Sequence, residues 1–248
     1  MIEIKNICRD IYSEYGYKTQ ILSNISFSIA EEKITGIIAP GKSGKSTLLK
    51  IISGLDNPTS GNIENSSQKK IVIIPSKPSS FPWLTVFDNV KFGLKNWSKE
   101  DINDLIASVG LAGYEAFHPD NNSLGFRFRI ALARSLAHNP SLILLDEPFN
   151  LLDNVARGEI YKLLRKIKRE RKTTFLIVTS NISEAVFLSD KIYLMKKDPA
   201  EIISEYEADF GSERDLTIYS SPKFTSLRSE IENRFSGLNS QSSINLSI

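Results

Sequence analysis

The stretch Ala39-Pro-Gly-Lys-Ser-Gly-Lys-Ser-Thr47 decides the fold. It follows the largely apolar run Ile34 to Ile38 and precedes Leu48, Leu49, Ile51 and Ile52, which are spaced for one face of a helix. A glycine-rich turn from strand to helix points backbone N–H groups at phosphate oxygens, and the helix N-terminus adds a field that favours anions. In such a turn a lysine bridges the β- and γ-phosphates of a nucleotide, and the next hydroxyl ligates Mg²⁺.

Two registers compete for the motif. Gly36 with Gly41-Lys42-Ser43 satisfies the G-x-x-x-x-G-K-S spacing literally, whereas Gly44-Lys45-Ser46 requires Ala39 in place of the first glycine. The first register puts Ile37 and Ile38 inside a phosphate loop and leaves almost no strand. The second keeps Ile34 to Ile38 as a core strand and starts the helix at Ser46. Burial decides for the second. Ala39, Pro40, Gly41, Lys42, Ser43, Gly44, Lys45, Ser46 and Thr47 are then the nucleotide-binding turn, with Lys45 as the phosphate lysine and Ser46 as a metal ligand.

Further along comes Ser141-Leu-Ile-Leu-Leu-Asp-Glu-Pro148. A buried strand ending in Asp146 puts a carboxylate at the C-terminal edge of a sheet, where ligands of such sheets sit. Asp146 can hold Mg²⁺ directly or through water, and Glu147 can polarise the water that attacks a γ-phosphate. Read alone, the pair is a strand end with a solvated acidic turn; the loop upstream gives it a partner.

The apolar runs Ile71 to Ile74 and Phe175 to Val178 read as further buried strands of a parallel sheet. Ile2, Ile4, Ile25, Phe27 and Ile29 alternate with polar residues, the period of half-buried, antiparallel strands. Val155, Ile160, Leu163, Leu164 and Ile167 keep a helical rhythm. Trp83 to Asn139 has no strong strand run and reads as an inserted helical lobe. The pattern loosens after Lys197; Pro222 to Phe235 reads as one more amphipathic helix and the end from Ser236 as a frayed tail. The division is an α/β domain over 1–205, with the lobe at about 83–139, and a C-terminal extension over 206–248.

Bulk properties exclude several classes. The 248 residues carry a formal net charge of +2, with 41% hydrophobic and 24% charged residues, ordinary for a globular protein and no invitation to nucleic acid. The basic run Arg165, Lys166, Lys168, Arg169, Arg171, Lys172 reads as a solvated face that suits a helix C-terminus. Cys8 is the single cysteine, which fits a reducing compartment. The N-terminus lacks the apolar core of a signal peptide, and no stretch approaches the roughly 20 apolar residues of a membrane span. A membrane role is therefore expected from the cytoplasmic face, peripherally, through another subunit.

In this order the motifs resemble the ATPase subunits of ABC transporters over about the first 200 residues. Ile130-Ala-Leu-Ala-Arg134-Ser-Leu-Ala is similar to the helix after the family signature, Asn150-Leu-Leu-Asp153 to the D-loop, and Ser183 to Asp190 to the segment after the switch loop. The resemblance implies a P-loop NTPase fold, a RecA-like mixed sheet with an N-terminal antiparallel β subdomain and an inserted helical lobe. It implies ATP and Mg²⁺ as cofactors, and two subunits sandwiching two ATP molecules between loop and signature. Asp153 then helps link the two sites. Tyr15, upstream of the first strand pair, resembles the aromatic residue that stacks on adenine; Tyr17 is its rival, and an ordinary packing tyrosine fits equally well.

Phe81-Pro-Trp-Leu-Thr-Val-Phe-Asp-Asn-Val-Lys-Phe-Gly93 and Tyr219-Ser-Ser-Pro-Lys-Phe-Thr-Ser-Leu-Arg228 resemble the branch that imports nitrate, sulfonates, taurine and related solutes. That implies transmembrane permease subunits touching Trp83 to Val90, a second ATPase subunit, and indirectly a solute-binding protein. A hydrolysis-deficient partner in a heterodimer is the second reading. A soluble ABC ATPase of repair or translation is the third, disfavoured because the usual fused cassette or long coiled coil does not fit this length.

The sequence departs from the family in four places. Ala39 replaces a glycine. Ser76 stands where the Q-loop glutamine senses Mg²⁺. The signature reads Asn122-Ser-Leu-Gly-Phe126, keeping Ser123 and Gly125 as nucleotide contacts but putting bulky Leu124 where backbone approaches phosphate. Ser180 replaces the switch-loop histidine, and the two histidines, His118 and His138, precede the carboxylate strand and cannot supply that role. Removing one preorganised donor from a transition-state site costs about 2.7–4 kcal/mol, or roughly 10²–10³ in rate. Nucleotide binding is expected to survive and turnover to be slow.

Overall fold

The computed structural model describes residues 1–66, 70–119, 123–211 and 213–242. Strands β1 (Ile2–Tyr12), β2 (Lys18–Ile29) and β4 (Ser60–Asn65) form an antiparallel sheet in the order β2-β1-β4. Strands β3 (Ile34–Ile38), β5 (Ile71–Ile74), β6 (Leu142–Asp146), β7 (Phe175–Thr179), β8 (Lys191–Met195) and β9 (Ile202–Glu207) form a second sheet in the order β5-β6-β7-β3-β8-β9. It is parallel except for β9, which returns antiparallel to β8. The alternating N-terminal residues pair as expected, with Ile2 opposite Ile29 and Ile4 opposite Phe27.

The inner strands of the large sheet, β6, β7, β3 and β8, are buried on both faces, and their successive side chains point to opposite sides. Ile37, Leu142, Leu144, Leu176 and Val178 join one apolar cluster with β1, β2 and the helix α1 (Lys45–Ile52). Ile38, Ile143, Leu145, Phe175 and Ile177 join another with α4 (Leu124–Ala137), α5 (Asn154–Arg171) and α6 (Ile182–Leu188). The stretch from Trp83 to Asn139 carries α2 (Val86–Lys91), α3 (Lys99–Ser108) and α4, and no strand among its described residues. Thr85 caps α2, and Ser98 with Asp101 forms a capping box on α3.

Several boundaries differ from the sequence reading. Helix α1 begins at Lys45, one residue earlier than expected, with Gly44 as its N-cap. A break at 205/206 would cut β9, whose short, half-polar pairing carries little periodic signal. The residues that follow also pack on the main core: Phe224 and Ile231 of α7 (Pro222–Ser242) are buried in it. The helix α7 continues past Phe235 to Ser242, and the rest of the expected tail lies outside the described residues. In α5 the apolar stripe holds for Ile160, Leu163, Leu164 and Ile167, whereas Val155 is 75% exposed.

Arg165 corrects the reading of the basic run as a solvated face. It is buried and donates to Leu188 O, Asp190 Oδ1 and Gly211 O. Buried Arg214 donates to Val186, Phe187 and Ser189 carbonyls at the end of α6 and to Ala208 O, tying the C-terminal segment to the sheet. Burial pushes the Arg214 guanidinium down to about 10.

Candidate functional site

The turn after β3 is anchored where Ala39 N donates to Thr179 O at 3.1 Å. Ala39 is fully buried in the apolar cluster and does not take a positive φ, so the backbone accepts a Cβ there. Gly44 has φ +83, and a Cβ on it would meet Ile21 Cγ2 at 2.9 Å. No side chain caps α1, which leaves its first N–H groups without intrahelical partners, the arrangement that binds anions. Ser43 in the same turn is buried, and its Oγ has no hydrogen-bond partner among the described residues. Gly36, the first glycine of the literal register, lies inside β3; a Cβ there would come 2.3 Å from Ser189 Oγ. Packing against α6 explains that glycine.

Two carboxylates face the turn from the end of β6. Ser46 Oγ donates to Asp146 Oδ2 at 2.6 Å. Lys45 Nζ is 3.1 Å from Glu147 Oε1, donates to Ala39 O at 3.2 Å, and bonds Pro40 O. Glu147 has φ +46, and its Oε2 accepts from Asn150 Nδ2 at 2.9 Å and from Ser180 N and Oγ at 3.2 and 3.3 Å. A hydroxyl and a single carboxylate are hard oxygen donors of the kind Mg²⁺ takes when phosphates complete its shell. Among the described residues no group of three or more His, Cys, Asp or Glu forms a closed metal cage.

The remaining sequence-derived residues stand apart. Tyr15 and Tyr17 are not upstream of the strand pair; they lie in the hairpin turn between β1 and β2, 87% and 74% exposed. Ser76 follows β5 by two residues, half-buried, at the same edge of the sheet as Asp146. Ser123 caps α4, its Oγ accepting from Phe126 N at 3.3 Å, and Gly125 is buried facing Ala156. Leu124, in the first turn of α4, is half-buried and packs on the main core. Asn122 lies outside the described residues. Asp153 caps α5, Oδ1 accepting from Val155 N and Ala156 N at 2.9 Å each.

Two features escaped the sequence reading. Asn150 bonds the side chain of Glu147, a contact that its position three residues downstream in a turn could have signalled. Behind the site, buried Glu184 accepts from Thr179 Oγ1 at 2.8 Å and lies 3.8 Å from Arg157, which donates to Phe149 O and Leu152 O. Burial raises the Glu184 carboxyl against the hydrogen bonds from Thr179 and Tyr161, and burial with Glu184 nearby pushes Tyr219 up to about 12. Only the fold brings these separated residues together.

Comparison with known proteins agrees with this geometry. The ABC transporter family model matches residues 22–150. The chain is 34% identical to the aliphatic sulfonates import ATP-binding protein SsuB of Bacillus anthracis, over 94% of this chain and 95% of that one. It is also 34% identical to the Bacillus subtilis (strain 168) protein of the same name, over 90% of each. The solved dimeric MJ0796 cassette, a bacterial ABC transporter cassette, superposes with a TM-score of 0.72 at 28% identity, over 85% of this chain and 100% of that one. A glycine-rich turn opposed by two carboxylates and this shared architecture lead to one conclusion: the chain belongs to the ABC transporter family, as an ABC-type ATPase and an ATP-binding subunit of the importer kind.

Proposed function

We propose that the chain binds Mg–ATP in the 39–47 turn and couples its hydrolysis to uptake of a small organic anion of the aliphatic sulfonate type. The observation that carries this reading is the meeting of Lys45 with Glu147 and of Ser46 with Asp146 at one sheet edge. Lys45 takes the β- and γ-phosphates, the turn's amides hold their oxygens, and Ser46 with Asp146 holds Mg²⁺, with Ser76 close by. The metal, when bound, neutralises charge on the phosphates. Glu147 accepts the proton of the attacking water. The water oxygen bonds the γ-phosphorus as the bond to the β,γ-bridging oxygen breaks, giving ADP and phosphate.

Pairing with a second cassette would set Ser123 and Gly125 of one subunit across the turn of the other, with Asp153 beside the junction and Tyr15 or Tyr17 against adenine. The dimeric state of the MJ0796 relative supports that arrangement. Exposed Trp83 packs at a tilt against Phe81, which also meets Phe92, an aromatic surface fit for a permease on the cytoplasmic face of the membrane. No helix among the described residues is long and apolar enough to cross a membrane. The solute class rests on the names of the relatives, and a solute-binding protein would act indirectly through the permease.

A second reading, a weakly hydrolysing subunit paired with a competent paralogue, is favoured by one contact: the single O–H of Ser180 is committed to Glu147. Co-purification from native membranes tests both. Recovery of a multi-span permease, with ATPase activity stimulated by an alkanesulfonate and its binding protein, is expected. A second cassette of different sequence in the complex selects the paired-paralogue reading, and recovery of no membrane protein contradicts both.

A further inference from the structure

We propose that Asn150 is a positioning residue for hydrolysis, which with Ser180 fixes one carboxylate oxygen of Glu147 so that the other faces the phosphate lysine. This rests on Glu147 acting as the base. Three donors converge on Oε2: Asn150 Nδ2 at 2.9 Å, Ser180 N at 3.2 Å and Ser180 Oγ at 3.3 Å. The other oxygen, Oε1, lies 3.1 Å from Lys45 Nζ. The two oxygens are therefore distinct. Glu147 also holds φ +46, a region that non-glycine residues enter uncommonly. Its backbone is pinned by Glu147 N donating to Val178 O at 2.9 Å.

The donors come from two elements, the turn after β6 and the end of β7. When γ-phosphate oxygens draw Lys45 away, Oε1 is released toward the reacting water while Oε2 stays anchored. Without the anchor, the carboxylate is free to rotate and to follow the lysine with both oxygens. Among the three donors the Asn150 amide is the shortest, and its side chain alone can be removed without disturbing strand β7. Asn150 is exposed, so its replacement leaves the core intact.

The test uses the full-length chain with Mg–ATP, in native form and as Asn150→Ala, Asn150→Asp and Glu147→Gln. Asn150→Ala is expected to lower kcat about 10-fold, the scale of one hydrogen bond to a charged group, with KM and ATP affinity within about twofold of native. Asn150→Asp, which sets a like charge against Glu147, is expected to lower kcat further. Native kcat in both variants, or a KM that rises in step with the loss, overturns the proposal. A Glu147→Gln variant with native kcat instead defeats the reading of Glu147 as the base. Should native turnover be too slow to follow, the Asn150 side-chain amide resonances decide by NMR. They shift between native and Glu147→Gln if the contact exists, and unchanged resonances overturn it.

Discussion

Lys45 and Glu147 form an ion pair at 3.1 Å with their side chains only 8% and 14% exposed, so the lysine proposed to hold phosphate is shared between the proposed base and the turn's own carbonyls. Phosphate oxygens must compete with that carboxylate. Glu147→Gln removes the competing charge while keeping an oxygen acceptor in place. Titration calorimetry is expected to show ATP bound about 10-fold more tightly, equivalent to ~1.4 kcal/mol, together with loss of steady-state hydrolysis. Weaker binding in this variant contradicts the competition.

Ser180 has one O–H, and Glu147 receives it at 3.3 Å, which leaves no second donor for a γ-phosphate. An imidazole at this position reaches further and can be a donor at both nitrogens when charged. The purified chain alone is therefore expected to turn over at less than about 1 s⁻¹, well below the roughly 10 s⁻¹ typical of enzymes. Ser180→His is expected to raise kcat by at least about 10-fold, toward the roughly 10²–10³ that one transition-state donor is worth. A native chain that hydrolyses at several turnovers per second or more contradicts the slow-turnover reading, and a slower Ser180→His variant contradicts the role given to position 180.

Four strands of the large sheet were legible because they are short, largely apolar runs: the stretches from Ile34, Ile71, Leu142 and Phe175 all become parallel strands. Strands β4 and β9 were not, since edge strands facing solvent on one side carry mixed residues such as Ser60-Gly-Asn and Ser204-Glu-Tyr-Glu. That the 39–47 turn meets Asp146 and Glu147 was legible only by weighing burial beside spacing, since the literal spacing favours Gly36 and Lys42. The bonds of Asn150 and Ser180 to Glu147, and of Glu184 to Thr179, depend on where strand ends meet, which no local pattern encodes. Arg165 misled for a related reason: a helix of basic residues hides which one turns inward until its acceptors, Asp190 and two carbonyls, are in place.

Gly36 offers a direct check on the register. Its place against Ser189 allows no Cβ, so Gly36→Ala must shift α6 or β3. The expected loss is about 1–3 kcal/mol of stability, a fall in Tm of several degrees at this size, with native ATP affinity in the folded protein. Native Tm with impaired ATP binding would instead place Gly36 in the phosphate loop.

Asp190 knots the C-terminal segment to the sheet. Burial alone would raise its carboxyl, but the Ile34 amide, Arg165 and Lys168 hold it below the ordinary aspartate range. A depressed carboxyl stabilises the fold above its unfolded pKa of about 3.9 and loses that contribution as pH falls through its folded value. Asp190→Asn, which leaves buried Arg165 and Arg214 without this partner, is expected to lose about 3–5 kcal/mol at pH 7. In urea unfolding, the gap between native and variant is expected to shrink as pH falls below about 4. An equal gap at both pH values contradicts the assignment.

The phosphate site itself is tested most directly by titrating Mg–ATP calorimetrically into native, Lys45→Ala and Lys42→Ala proteins. Exposed Lys42 has φ +59 and no place in the contacts that join Lys45 to Glu147 and the turn's carbonyls. Lys45→Ala is expected to weaken binding by about 100-fold, the upper range for lost hydrogen bonds to a charged group, while Lys42→Ala changes it by no more than a few-fold. Loss of binding in Lys42→Ala with native affinity in Lys45→Ala would contradict the site described.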